Sequence, residues 1–308
     1  MPGAGKERTR QRLRGPGFAP ETGVRQELPG TGRAQRAARA RRLSGADAAT
    51  LGCLAGLLAL GFAGPPLAPY EPTAAELGER LAAPAGAHLL GTDHLGRDVL
   101  SRLLHAARLS LGLAAAAVAF SGVTGTALGL ISGRAGGVIS AAVNRTVDTL
   151  IALPAILVGL TLVAIFDPGV ATLFGAIALV GWMPFARLAH ALTLKLSSRE
   201  YVEAARVMGA GEARLLLRHI LPNAAGPLLS LACLQFAYTL LTISGLSFLG
   251  LGAQPPTPEW GVMLSEGQPY LADRPLLVLA PAAAIVTAAL AVTAAGRALA
   301  RRWDLPTV

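Results

Sequence analysis

The stretch EYVEAARVMGAGEARLLLRHILPN, residues 200–223, interrupts a chain that is otherwise rich in Ala, Leu, Val and Gly. It contains three Glu, three Arg, two glycines and a Leu-Pro pair near its end. Gly209 and Gly211 are expected to separate a helix over residues 200–208 from a second short helix, which Pro222 would end. The sequence therefore predicts a charged helical insert between two apolar segments.

The composition of the rest of the chain indicates a membrane protein. The chain has 308 residues, of which 53% are hydrophobic and 15% are charged, whereas a soluble domain has nearer a quarter charged residues. Several windows exceed the roughly 18 to 20 apolar residues that a helix needs to cross a bilayer of about 30 Å. Apolar residues occur all round these segments without strict alternation, as in buried or lipid-facing helices. The sequence predicts an all-α, polytopic membrane protein.

Six transmembrane helices are predicted from these windows. They cover about Ala48–Ala63, Leu109–Ser132, Val147–Phe166, Ala171–Ala191, Ala224–Leu251 and Pro275–Ala295. Pro65-Pro66 should stop the first span, and the third contains Pro154. The chain is accordingly divided into a disordered basic arm at 1–45, the first span with an external segment at 46–87, a transmembrane domain at 88–300 that includes a loop at about 192–222, and a tail at 301–308.

The basic residues predict how the chain is oriented. Residues 1–45 contain 11 Lys or Arg and 3 Asp or Glu, a net charge of +8 out of the +9 of the whole chain. The positive-inside rule places this arm in the cytoplasm, together with the loop that holds Arg134 and Arg145, the insert and the C-terminus. The arm is expected to touch anionic lipid of the bilayer, and no nucleic-acid partner is predicted.

Small residues form a ridge along the second predicted span. Ser121, Gly125, Gly129 and Gly133 recur every four residues, which is the small-xxx-small pattern that lets helix backbones approach closely in membranes. Two interpretations stay open at this point. The ridge is either a seam at a subunit interface or pore, or an ordinary packing contact inside the bundle.

The insert has the features of a docking element. Ala204 and Ala205 would give its first helix a nearly bare face, and Glu203 and Arg206, three residues apart, would line the rim. A short helix with a small apolar patch and a charged rim suits a groove on another protein. The alternative is a solvated connecting loop, which does not explain why some thirty residues stay helical where a short turn would join two helices.

This pattern resembles the EAA loop of ABC importer permeases. The matching residues are Glu203, Ala204, Ala205 and Gly209, followed by His219, Leu221 and Pro222 at the end of the loop. His219 stands where the family has an aliphatic residue. The resemblance implies that the loop forms a coupling helix that seats in a cleft of an ATPase subunit.

Two further stretches narrow the resemblance. HLLGTDHLGRDVLSRLLHAARLSL at 88–111 and LSFLGLGAQPPTPEWGVMLSEG at 246–267 are similar to the dipeptide, oligopeptide and nickel branch of these permeases, and to the second, C-type, permease subunit. The resemblance implies the type I ABC importer (MetI-like) fold and a place in a bacterial inner membrane. It also implies four kinds of partner: a homologous permease, two ATPase subunits with ATP and Mg, a solute-binding protein outside, and the bilayer. The implied cargo is a dipeptide or oligopeptide, with nickel or a metal chelate as the alternative.

Residues 93–102 hold two acid-base pairs with i,i+4 spacing. Asp93 with Arg97, and Asp98 with Arg102, are predicted to lie on an external entrance helix that Thr92 would cap. Such a helix would contact a solute-binding protein or would simply be braced by its own ion pairs. His88, Asp93 and His94 could each bind a metal ion. Because they lie in one loop and no second group of such residues repeats the pattern, no metal site is predicted.

Motifs that would make the chain an enzyme are not found in the sequence. A phosphate-binding loop needs Gly-Lys followed by Ser or Thr, but Lys6 precedes Glu7 and Lys195 follows Leu194. ATP hydrolysis is therefore expected in a partner, and no catalytic or cofactor-binding residue is predicted. A secondary transporter or channel is the alternative from another class, although such proteins usually bury ionisable residues at mid-membrane.

Overall fold

The computed structural model describes residues 63–152 and 154–302, with scattered positions between 52 and 61. These residues form helices, and no strand occurs among them. The predictions for the arm at 1–45, for most of the first span and for residues 303–308 lie outside the described residues.

Eight α-helices account for most of the described chain. They are α1 (Val99–Ala135), α2 (Gly137–Ile151), α3 (Ala155–Ile165), α4 (Val170–Ser197), α5 (Glu200–Val207), α6 (Leu221–Phe248), α7 (Trp260–Gly267) and α8 (Leu276–Arg302). Shorter helical turns lie at Leu77–Glu79, Glu212–Arg214 and Gln268–Tyr270, and a π-helix at Leu215–Ile220 leads into α6.

Four of the helical stretches are long and apolar enough to cross a membrane. They are Val99–Ala135, Val170–Ser197, Glu212–Phe248 and Leu276–Ala300, which confirms the second, fourth, fifth and sixth predicted spans. The helices extend beyond the predicted apolar windows, as α1 begins ten residues before Leu109. Membrane helices extend into the polar zones on either side of the hydrocarbon, where charged residues are tolerated.

The third and first spans differ from the predictions. The third is not one helix over Val147–Phe166, because the helix is interrupted between α2 and α3. Pro154 lies at this interruption, and its ring has no N–H for the hydrogen bonds that would continue the helix. The described end of the first span stays helical through Leu67 and so includes Pro65-Pro66, which were expected to stop it. Gly64 lies against α1, where a side-chain carbon would sit 2.9 Å from the Leu104 carbonyl oxygen.

The ridge of small residues packs α1 against α4. A side-chain carbon at Gly125 or Gly129 would overlap a carbonyl oxygen of α4, and one at Gly133 would lie 2.7 Å from Thr193 Cβ. Ser121 faces Gly181 of α4 in the same way. Of the two interpretations of the ridge, the structure shows the packing contact inside the chain.

The main apolar core lies near the start of α1. Side chains of α1 such as Val99 and Leu111 meet Leu240 and Ile243 of α6 and Trp260 of α7. Trp260 is 1% exposed, and its indole N–H donates to the Leu103 carbonyl at 3.2 Å. This hydrogen bond satisfies the indole N–H, so the whole side chain can be buried against α1.

Candidate functional site

The insert, residues 200–223, has a small core of its own. Val202 and Ala205 of α5 are buried against Leu215 of the π-helix. Ala204 is exposed on the other side of α5. The prediction that Ala204 and Ala205 share one bare docking face is therefore wrong, because Ala205 supplies the close contact that holds the two halves of the insert together.

The C-terminus of α5 presents two apolar side chains to the surroundings. Val207 is 88% exposed and Met208 is 80% exposed. Gly209 follows them at φ +85°, a left-handed conformation that favours glycine. The amide of Gly209 donates to the Arg206 carbonyl at 2.9 Å and that of Ala210 to the Ala205 carbonyl at 3.0 Å, which is the Schellman arrangement that ends a helix. The turn therefore fixes the position of both apolar side chains.

The second half of the insert runs without interruption into α6. Pro222 was expected to end the second short helix, but it lies in the first turn of α6, where a missing N–H is tolerated. The ladder widens just before it, as the Leu221 amide donates to the Leu216 carbonyl five residues back. The His219 carbonyl accepts from the Asn223 side chain at 2.6 Å. A movement of the insert would thus reach α6 through continuous helix.

An ion pair ties the insert to the end of α1. Arg134 donates from Nε to Glu212 Oε2 at 2.7 Å and from Nη2 to Glu212 Oε1 at 2.5 Å. This two-pronged geometry is the strongest form that an Arg–carboxylate pair takes. The insert is therefore connected to α1 as well as to α6.

A charged cluster of Asp93, Arg97, Arg102 and Glu266 lies at the opposite end of α1. Asp93 Oδ2 accepts from Arg97 Nε and from Arg102 Nη1, both at 2.7 Å. Glu266 Oε2 of α7 accepts from the same two arginines at 3.1 and 2.7 Å. The guanidinium side chains are only 2% and 1% exposed. The cluster thus locks the segment before α1 onto α7.

The predicted external entrance helix is wrong in its geometry. Helix α1 begins at Val99, and Asp98 is its N-cap, accepting from the Ser101 amide at 2.7 Å. The Asp93–Arg97 pair forms across a turn that contains Gly96 at φ +78°. Asp98 pairs with His88 at 2.8 Å, while Arg102 reaches Asp93 and Glu266.

Thr92 does not cap the helix either. Its side chain accepts from the Ala82 amide at 2.9 Å and donates to the Glu79 carbonyl. Sequence spacing could not predict these contacts, because Ala82 and Glu79 lie outside the stretch at 93–102.

Burial and neighbouring charges shift the protonation of two groups in this region. His88 bonds Asp98 Oδ1 and Glu79 Oε2, both at 2.8 Å, and the hydrogen bond that the Asp98 carboxylate accepts is the main cause that raises the pKa of His88 above its usual value. Burial raises the pKa of Glu266, and the nearby Arg97 only partly opposes this effect. Within the described part of the chain, no group of three or more His, Cys, Asp or Glu side chains could hold a metal ion.

A second buried carboxylate was missed by the sequence reasoning. Glu259, the N-cap of α7, accepts from the Val262 amide at 3.1 Å and from the Ser110 hydroxyl of α1 at 2.8 Å. The same hydroxyl accepts from the Trp260 amide at 3.2 Å. Its position just before the short helix was the available signal, since a residue before a helix can accept from the third amide within it.

The sequence matches a known transport family over more than half of its length. Residues 125–305 match the binding-protein-dependent transport system inner membrane component. The chain belongs to this family. The matched region contains most of the ridge, all of the insert and the helices from α2 to α8.

Individual relatives agree with this assignment. The chain is 43% identical over 244 residues to a dipeptide transport system permease protein of Escherichia coli, covering 77% of this chain and 81% of the relative. It is 39% identical over 246 residues to a di/tripeptide transport system permease protein of Pseudomonas aeruginosa, covering 78% and 81%. It is 37% identical over 236 residues to a nickel transport system permease protein of Escherichia coli, covering 77% and 85%.

These matches confirm the resemblance to ABC importer permeases of the dipeptide and nickel branch. The all-α, MetI-like fold and the multi-pass membrane location are confirmed with it. The family comprises membrane components of transport systems that work with binding proteins. The roles of the individual site residues stay predictions.

Proposed function

We propose that this chain is the permease subunit of an ATP-driven importer and forms half of its translocation pathway. Its partners are a homologous permease, two ATPase subunits that bind ATP and Mg, and a solute-binding protein outside. The chain itself binds no nucleotide and catalyses no reaction. It lies in a bacterial inner membrane with both termini and the insert in the cytoplasm, as its basic residues favour.

The observation that carries this proposal is the exposed end of α5. Val207 and Met208 are held at the surface by a Schellman turn, on an insert that already has its own buried core. Apolar side chains fixed in this way cost free energy in water and gain it when a partner covers them. Met adapts well to a contact surface on another protein. An ATPase subunit with a matching cleft is the partner that family membership suggests.

The connections of the insert support a mechanical role. When the ATPase subunits close on ATP, the insert would move with them. Continuous helix carries that movement into α6, and the Arg134–Glu212 pair carries it into α1. Rocking of these helices would expose the pathway alternately to the two sides of the membrane, a two-state change that ATP binding biases.

The proposed cargo is a dipeptide or short oligopeptide. Among the relatives above, two are named for peptides and one for nickel, and the peptide permease of Escherichia coli has the higher identity. Nickel or a metal chelate is the second candidate, because the nickel permease is 37% identical over 236 residues. A secondary transporter or channel would need no ATPase, so the dependence on a partner separates these classes.

Surface variants of the insert test the proposal. Met208→Asp and Val207→Asp place a carboxylate on the proposed contact without entering the buried core. We expect both to lose ATP-dependent uptake and co-purification of the ATPase, while the chain still inserts and unfolds at the same temperature. Ala205→Arg and Gly209→Pro should also abolish uptake, but they alter the insert itself.

Val138→Asp is the matched control, because Val138 is 86% exposed and lies at the start of α2, in the loop region that the basic residues place on the same side of the membrane. This variant should import normally. The transport assay uses vesicles that contain the complete complex and the binding protein, supplied with labelled dipeptides or with nickel. Normal uptake by both insert variants would overturn the proposed coupling, and uptake by the purified chain alone would overturn the ABC mechanism.

A further inference from the structure

A cavity of about 370 Å³ lies where three predicted spans pass through their middle sections. Ile151 and Pro154 border it at the break between α2 and α3, and Gly181 and Pro184 border it near the middle of α4. Gln235, near the middle of α6, borders it from the third side. The volume falls in the range of small-molecule sites.

Helix α6 presents a polar stripe to this cavity. Gln235, Tyr238, Thr239 and Thr242 all line it and follow one another at i, i+3, i+4 and i+7, so they share one face of the helix. The Thr242 hydroxyl donates to the Tyr238 carbonyl at 2.9 Å, which leaves its lone pairs free to accept. Tyr238 is 56% exposed. Polar side chains on one face of a membrane helix indicate a face turned away from lipid.

The backbone around the cavity is also irregular. Pro154 interrupts one span, and Pro184 has no N–H to donate to the carbonyl of Val180, which lines the cavity. Within a membrane, such interruptions are tolerated where they are buried in protein or border a water-filled cavity. Pro184 thus adds the Val180 carbonyl as an acceptor where the polar stripe of α6 already provides hydroxyl and amide groups.

The chemistry of the lining is neutral. Among the described residues that border the cavity there is no Asp, Glu, Lys, Arg, His or Cys. Hydroxyl, amide and carbonyl groups bond readily to the amides of a peptide. A bare divalent nickel ion would find neither the imidazole nor the thiolate ligands that suit it. The lining therefore favours a ligand that has many neutral hydrogen-bonding groups and little net charge.

We propose that this cavity is a cargo subsite of the translocation pathway, and that Gln235, Tyr238, Thr239 and Thr242 make it selective for short peptides over bare metal ions. The inference rests on the proposed importer function and specifies its cargo. The four side chains hold the peptide backbone weakly, through neutral hydrogen bonds, so that the cargo can leave towards the cytoplasm.

Removing single hydroxyl groups is the first test. Tyr238→Phe and Thr242→Val keep the shape of the side chain and lose one hydrogen-bonding group each. In vesicles with the complete importer, we expect the kcat/KM of labelled dipeptide uptake to fall by about fivefold for each, as for one lost hydrogen bond of about 1 kcal/mol. Thr293→Val is the control, because its hydroxyl bonds the carbonyl four residues back, as that of Thr242 does, but Thr293 is not among the residues that line the cavity.

A pair of engineered histidines is the second test. Tyr238→His combined with Thr242→His places two imidazoles at i and i+4 on the face that lines the cavity, a spacing at which two histidines bind one metal ion. Added Ni²⁺ should then block dipeptide uptake, and a chelator should restore it. Ser230→His combined with Leu234→His puts the same pair on α6 outside the cavity lining and should leave uptake insensitive to Ni²⁺.

Each outcome decides the proposal. A fall in uptake for the hydroxyl variants together with nickel block only at 238 and 242 supports it. If the wild-type complex imports dipeptides and neither the hydroxyl variants nor the histidine pair alters this uptake, the subsite is overturned while the importer function stands. ATP-dependent uptake of Ni²⁺ but not of dipeptides overturns the ligand class. If the wild-type complex shows no ATP-dependent uptake of either solute, the importer function fails, and the subsite with it.

Discussion

The charged cluster and the insert both interrupt an apolar chain, but they use their side chains in opposite ways. In the cluster, two arginines and two carboxylates are bonded to each other and withdrawn from solvent. In the insert, Glu203 and Arg206 are exposed, and so are the apolar Val207 and Met208. In the cluster, the charged groups pair with one another, whereas in the insert these charged and apolar side chains are left exposed.

The difference identifies what each region is built for. Arg102 and Arg134 are separated by about 48 Å along α1, at 1.5 Å per residue, so the two regions lie at opposite ends of this helix. A cluster with its partners already in place fixes the position of α1 relative to α7. The insert has an internal core and exposed apolar side chains, which is what we expect of a surface that a partner covers. The cluster end of α1 is therefore held by contacts within the chain, and we expect the insert end to be held by a partner.

The largest effect should follow from breaking the cluster. Arg102→Met removes the guanidinium that bonds Asp93 and Glu266, and leaves two buried carboxylates with one arginine. Removing one partner of a buried ion pair costs about 3 to 5 kcal/mol, so we expect a marked fall in the thermal unfolding temperature of the purified chain in detergent.

Arg187→Met is the control for this prediction. Arg187 and Asp148 form an ion pair at 2.5 Å whose side chains are 54% and 62% exposed. Exposed pairs contribute about 0 to 1 kcal/mol, so this variant should unfold close to the wild-type temperature. Equal effects of the two substitutions would contradict the view that burial makes the cluster structural.

The second prediction concerns the turn at the end of α5. Gly209→Ala forces a side chain into the left-handed region at φ +85°, which costs about 1 to 2 kcal/mol. The cost falls on the insert, so we expect faster amide hydrogen exchange in α5 and reduced ATP-coupled uptake, with the overall unfolding temperature nearly unchanged. Gly211 has φ −70°, so Gly211→Ala should be tolerated. A uniform loss of protection along the chain would show that the insert is not a separate unit.

The outlines of both regions were predictable from the sequence, and their contacts were not. The composition and the short motifs around Gly209 identify the spans, the insert and the family. The partners of Arg102 lie at Asp93 and at Glu266, and only the fold brings Glu266 to it. Local spacing instead suggested an Asp98–Arg102 pair, which fails because Asp98 caps α1 and bonds His88.

The exposed apolar side chains of the insert were not predicted for a related reason. The motif directs attention to Ala204 and Ala205, but side chains one residue apart on a helix point about 100° from each other. Ala205 is buried against Leu215, so the exposed apolar surface of the insert is formed by Val207 and Met208 instead. Which side of a short helix is covered depends on the π-helix that follows it, and no local pattern predicts that.

A smaller effect is expected for the pair that connects the insert to α1. Glu212→Gln should weaken both hydrogen bonds to Arg134, with a cost of up to about 1 kcal/mol because Glu212 is 63% exposed. We expect little change in the unfolding temperature and a measurable fall in uptake per ATP hydrolysed. Arg134→Lys should not behave as the wild type, since an ammonium cannot make the two-pronged contact. A double-mutant cycle that shows additive effects on uptake would remove this connection from the coupling path.

The smallest effect is a pH dependence confined to the cluster end of the molecule. The pKa of His88 is raised in the fold, chiefly by its hydrogen bond with Asp98 and further by Glu79, so the folded state binds a proton more tightly than the unfolded chain. The resulting stability is fully present below the unfolded pKa, near 6.5, and is lost as the pH rises through the folded value. His88→Gln should flatten the unfolding temperature over this range. The pKa of Glu266 is also raised, so its contribution to stability is likewise lost as the pH rises, but the loss begins near the ordinary carboxyl pKa of 4.5. Glu266→Gln should remove only this second pH dependence, which separates the two groups. The amide exchange of α5 in the insert should not respond to either change, and a response there would mean that the two ends of α1 are not independent.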